Sequence, residues 1–160
     1  MGVDIHVFTE IRDMEDNSNF INIDTFQYTE EGYYKNNAYE GRYSVLFDIL
    51  QNFIPKKGSP ENPSEVFKKE WEDYKGCGYG LNHIYFDELY DIWKREWEKD
   101  ILYYPFVFTE FNVGYTLFPF VSELYKHLLS YKEHTEGSWL SNKRIQQSWK
   151  NYRIIYFFDR

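Results

Sequence analysis

The sequence predicts one α+β (or α/β) domain spanning residues 1–160, with a central mixed β-sheet packed by several helices. Three observations carry this expectation. Val3 to Arg12 alternates with period two, as a strand with two unlike faces does. Arg153 to Asp159 is a short, almost continuous apolar run, as a buried strand is. Between them lie several stretches with apolar residues at helical spacing. The first and last strands are expected side by side at the centre of the sheet.

In chain order, the first strand carries Val3, Ile5, Val7, Thr9 and Ile11 on one face. Asp4, His6, Phe8, Glu10 and Arg12 lie on the other. Asp13 to Ser18 is a polar turn, and Phe20 to Ile23 can return as a hairpin partner continued by Phe26 to Tyr28. Residues 29–43 form a Gly/Tyr/Asn-rich loop with Tyr33, Tyr34, Tyr39 and Tyr43. Val45, Leu46, Ile49, Leu50 and Phe53 follow helical spacing, and Pro55 stops that helix. Ser64 is an N-cap for a second helix with the stripe Phe67, Trp71 and Tyr74.

Gly76, Gly78 and Gly80 interrupt the pattern without forming a dinucleotide fingerprint, and no strand clearly precedes them. Asp87 can cap a third helix bearing Leu89, Tyr90, Trp93 and Trp97. The aromatic and β-branched run from Phe106 to Phe118 predicts one or two strands. Pro119 and Ser122 then open a helix with Val121, Leu124, Tyr125, Leu128 and Leu129 inward, followed by a short helix near Lys143–Tyr152.

Composition bounds the function. Hydrophobic residues reach 42%, enough for one core, and no stretch nears the ~18 consecutive apolar residues of a membrane span. The N-terminus lacks a basic region followed by an apolar run, so a cytoplasmic protein is expected. The single cysteine, Cys77, excludes an internal disulfide and a Cys-rich zinc site, and it has no evident His or Asn partner. A net charge of −8 without a basic stripe argues against long nucleic acids but allows a small anionic ligand held by one or two arginines. Aromatic residues make up 22% of the chain, consistent with AT-rich codon usage, with an aromatic-lined pocket, or with both. There is no nucleophile elbow, phosphate-cradling loop or His-Glu-x-x-His helix.

Chemistry is concentrated in the first strand. Asp4 and His6 lie on one face ~7 Å apart, with Glu10 further along. A carboxylate beside an imidazole orients it and fixes its tautomer. Asp4, His6 and Glu10 are therefore candidate catalytic groups or ligands for a divalent metal. The alternative is a half-exposed strand whose ionisable face is simply wet. His83, after a Gly-rich loop, can reach a ligand or cap the next helix. His127, beside an apolar stripe, and His134, in a Lys/Glu/Thr stretch, are expected at the surface.

The opening MGVDIH, with Glu10 and Arg12, resembles a family of small phage and bacterial proteins that begin Met-Gly-Cys-Asp-Ile-His. Gly41-Arg42-Tyr43 leading into Leu46-Phe47 is similar too, as is the closing strand that ends Phe158-Asp159. The resemblance implies that Asp4, His6, Glu10, Arg42 and Asp159 share one site. Val3 replaces the family's cysteine, which argues against thiol chemistry there. A His-rich segment of the family is represented only by His83, with an offset that does not fit cleanly.

Three functions are compatible with these residues. The first is a small phage-type hydrolase acting on a nucleotide or cyclic-oligonucleotide signal, a host-defence countermeasure. Asp4, His6 and Glu10 would then be catalytic, Arg42 and Asp159 would bind the ligand, and Tyr33, Tyr34, Tyr39 or Tyr43 would stack on it. The second is a homo-oligomeric protein that sequesters such a signal intact. The third is a protein–protein inhibitor using exposed Tyr and Trp.

Overall fold

Alternation at the N-terminus produces the strand β1 (Asp4–Arg12), and the closing apolar run produces β5 (Tyr152–Asp159). The structure, a computed structural model, describes residues 2–13, 18–26, 37–107, 112–136 and 149–160. β1 and β5 pair antiparallel along nearly their whole length, with His6 opposite Phe157 and Glu10 opposite Arg153. The short strands β2 (Phe20–Asn22) and β3 (Tyr39–Gly41) both pair with the other edge of β1. β4 (Tyr79–Tyr85) lies beyond β5. The sheet order is β2-β1-β5-β4, with β3 beside β2 on β1. The expected adjacency of first and last strands is present, and the pairings described are antiparallel rather than mixed.

Four helices complete an α+β fold: α1 (Ser44–Asn52), α2 (Glu65–Tyr74), α3 (Phe86–Tyr103) and α4 (Val113–Glu136). The larger core joins Ile5, Val7 and Ile11 of β1 and Tyr152, Ile154, Tyr156 and Phe158 of β5 to apolar residues of α1, α3 and α4. On the opposite face, α2 lays Phe67, Trp71 and Tyr74 over Phe8, Ile155 and Phe157. Ser64 caps α2 as its sequence predicts, accepting from Phe67 N at 3.3 Å. Both faces of the central strands are thus covered, which explains why β5 is apolar at successive positions.

Three expectations are corrected. The glycine-rich stretch leads directly into β4, whose register shifts between Tyr79 and Asn82. Gly80 sits at that irregularity with φ +67°, and a Cβ there would come within 2.6 Å of the Phe158 ring. Its glycine marks a strand irregularity, not a loop. The second correction concerns the aromatic run before Pro119. Residues 112–118 are described and contain the start of α4, not a strand; Pro119 lies inside that helix with an exposed ring. Gly114 permits this, because a Cβ there would lie 2.5 Å from Trp97 N on α3. Asp100 of α3 accepts from Tyr115 N at 3.1 Å, satisfying a donor of the first turn of α4.

The third correction is His127, which is buried rather than at the surface. Its Nε2 lies 2.8 Å from Asp24 Oδ1 and 3.0 Å from Thr9 Oγ1. Asp24 also accepts from Thr9 N at 2.9 Å and from Asn22 Nδ2 at 3.2 Å. This network ties the 3-10 turn Asp24–Phe26 and α4 to β1. Among the described residues, no helix is long and apolar enough to cross a membrane. Tyr33, Tyr34 and most of the helix expected near Lys143 fall outside the described residues.

Candidate functional site

One end of the sheet gathers side chains from three distant parts of the chain. β1 contributes Asp4 and His6, β3 and the residue after it contribute Glu40 and Arg42, and β5 ends on Asp159. Asp4 and Asp159 are opposite each other in the β1–β5 register. Two carboxylates in that relation repel unless cations intervene. Arg42 supplies one cation: its Nε donates to Asp4 Oδ1, and its Nη2 donates to Asp4 Oδ2 at 3.2 Å. The Arg42 hydrogen bonds, more than its charge alone, hold the Asp4 carboxyl below the usual carboxylate range. The guanidinium itself is largely solvent-exposed.

His6 is only 3% exposed. Its ring stacks on Phe157, centroid to centroid 4.9 Å, and Tyr74 of α2 covers it at 4.6 Å. Its Nδ1 lies 3.6 Å from Glu40 Oε1, and its Nε2 lies 3.3 Å from Asp159 Oδ2. The second contact lacks hydrogen-bond geometry, so Nε2 is buried with no hydrogen-bond partner among the described residues. Tyr74 has its phenol pushed up by burial first and then by Glu40 and Asp159.

Glu10 is not part of this corner. It lies four residues from His6 on the same strand face, ~13 Å along, with Phe8 between them. Its carboxylate is fully buried and accepts from Arg153 Nε at 2.9 Å and Nη2 at 2.7 Å. Ser64 N donates to its other oxygen at 2.8 Å. Arg153 also reaches the Asn62 carbonyl at 3.4 Å and covers the Phe20 ring at 3.4 Å. Glu10 therefore anchors β5 and the start of α2, and the structure does not gather its carboxylate with Asp4 and His6. Among the described residues, no group of three His, Cys, Asp or Glu side chains is placed to hold a metal ion.

The remaining candidates divide. Tyr43 is 38% exposed at the start of α1, next in sequence to Arg42. Tyr39 packs edge-on against Phe120 of α4, so its ring is partly committed to the core, and burial pushes its phenol up. His83 lies on β4, across β5 from β1, and its Nδ1 donates to the Gly58 carbonyl at 2.8 Å. Beside it, Asn82 accepts from Lys57 N and Gly58 N and donates to Pro55 O. Both residues fasten the loop after α1, and His83 is not gathered with His6.

Sequence reasoning missed two members of the corner. Glu40 falls in a stretch whose sequence reads as a polar loop with no periodic signal, and only the pairing of β3 with β1 sets it opposite His6. Tyr74 was visible as part of the α2 stripe, but not as a lid on His6. No protein-family model, curated protein or solved structure matches the chain.

Proposed function

We propose that the corner of His6, Asp159, Asp4 and Arg42 is the active site of a small hydrolase acting on a nucleotide or cyclic-oligonucleotide signal. The observation that carries this reading is the buried Nε2 of His6, which makes no hydrogen bond among the described residues although Asp159 Oδ2 lies 3.3 Å away. A buried polar atom without a partner costs stability, on the order of 1–3 kcal/mol, and calls for an explanation in function. In the proposed reaction His6 takes a proton from water as the water oxygen bonds to phosphorus and the phosphoester P–O bond breaks; Asp159 steadies the imidazolium, which returns the proton to the leaving oxygen. Arg42 is exposed, so its pair with Asp4 is readily exchanged for phosphate oxygens, which guanidinium binds bidentately. Glu40 is exposed on a short strand and can swing from Nδ1. Tyr43 offers an exposed ring for base stacking. The resemblance to phage proteins favours a host-defence signal as substrate.

The test is incubation with a panel of mono-, di- and cyclic oligonucleotides, with and without Mg²⁺, followed by product analysis. Turnover is expected, and His6→Asn is expected to reduce it about 10²-fold or more. Turnover unaffected by His6→Asn, or no turnover of any member, would overturn the reading. A second reading, sequestration without chemistry, is favoured by the burial of His6 beneath Tyr74. Its distinguishing result is tight binding with the nucleotide recovered intact and affinity lost in Arg42→Gln.

A further inference from the structure

On the helical side of the molecule, α3, α4 and Trp149 enclose a cavity of about 660 Å³, within the ~300–1,000 Å³ range of small-molecule sites. Six rings form its wall: Phe86, Tyr90, Trp93, Phe118, Tyr125 and Trp149. They are in mutual contact. Phe86 lies 5.5 Å from Trp149 and 6.3 Å from both Tyr90 and Tyr125, and Tyr90 continues to Trp93 at 5.5 Å, then Phe118 at 6.0 Å. Tyr90, Phe118 and Tyr125 are each more than a third exposed, an unusual state for so many adjacent rings. The Trp93 N–H is spent on the Gly114 carbonyl at 3.2 Å, so that indole offers the cavity its ring surface only.

Among the described residues, the charge of the lining is one-sided: Asp87 and Asp91 belong to it, and no lysine or arginine does. Aromatic faces carry negative quadrupole potential and attract cations, most strongly from Trp. Two carboxylates on an aromatic wall add to that field. They also repel phosphates, which separates this cavity from the nucleotide site proposed at the β1–β5 corner. We propose that the α3–α4 cavity binds a small organic cation, an alkylated ammonium carrying an apolar or aromatic substituent.

The experiment uses the full chain and three probes of similar size: benzyltrimethylammonium, neutral benzyl alcohol and anionic phenylacetate. Binding is followed by calorimetry and by quenching of tryptophan fluorescence. The cation is expected to bind at least tenfold more tightly than either counterpart. Asp87→Asn combined with Asp91→Asn is expected to weaken the cation about tenfold and leave benzyl alcohol unchanged. The amide at position 87 keeps an oxygen for Glu88 N, which Asp87 Oδ1 now accepts at 2.9 Å. Tyr125→Leu, on the exposed rim, is a second variant expected to weaken the cation while circular dichroism stays unchanged. Equal affinity for the three probes, or no binding of the cation at millimolar concentration, overturns the proposal.

Discussion

Glu10 and Arg153 show how a residue's role depends on a partner the local sequence does not reveal. In β1, Glu10 occupies the same alternating row as Asp4 and His6, and nothing in the surrounding residues distinguishes the three. Its partner is 143 residues away and equally buried. Breaking such a pair leaves a charge uncompensated in the interior. Glu10→Ala is therefore expected to destabilise the fold by about 3–5 kcal/mol, measured by urea unfolding. The double variant Glu10→Leu with Arg153→Met should recover most of that loss, because an apolar pair of similar volume is often as stable as a buried ion pair. A double variant no more stable than the single one would show that Glu10 matters chiefly through Ser64 N and the start of α2. Asp4 and Arg42, by contrast, pair at the solvent-exposed edge and contribute little to stability.

At the scale of elements, the legible parts were those where local pattern and tertiary environment agree. α2 has its cap at Ser64 and its apolar stripe at helical spacing, and both appear as expected. β1 was legible as a strand, but its two unlike faces suggested one wet side. Helices cover most of both sides: Glu10 pairs with Arg153 in the interior and His6 lies buried 3.3 Å from Asp159, while the Asp4–Arg42 pair meets solvent. The start of α4 was hidden for a different reason. Val113, Tyr115, Thr116 and Phe118 favour strands intrinsically, yet this preference is weak beside packing on α3. Gly114 is the residue that lets the two helices meet, so Gly114→Ala is expected to cost about 1–3 kcal/mol and lower Tm by several degrees. An unchanged Tm in differential scanning calorimetry would mean that the helices can separate without loss.

For the molecule as a whole, the sequence revealed the class and the adjacency of the first and last strands. The resemblance implied one site for Asp4, His6, Glu10, Arg42 and Asp159; the structure places all of these but Glu10 at one end of the sheet. The sequence could not reveal Glu40, whose position depends on β3 pairing, or the aromatic cavity, whose rings come from three separate segments. The burial of tyrosines in the main core has a global effect. Burial pushes the Tyr156 phenol up to about 12, although the Asn82 amide N–H donated to it acts the other way, and burial drives Tyr152 upward too. In the unfolded chain these groups ionise near pH 10. A raised folded-state value means that their contribution to stability is complete below about pH 10 and is lost as pH rises toward about 12. The urea midpoint should fall steeply across that interval, and a flat profile there would refute the linkage.

β5 occupies the middle of the sheet and is synthesised after the other strands described. Until it leaves the ribosome, β1 has no partner along its inner edge, and the apolar residues on both its faces lie open to other chains. Such long-range closure folds slowly. The yield of folded protein should therefore respond to the rate of translation over β5, which a synonymous-codon series across residues 152–159 would measure.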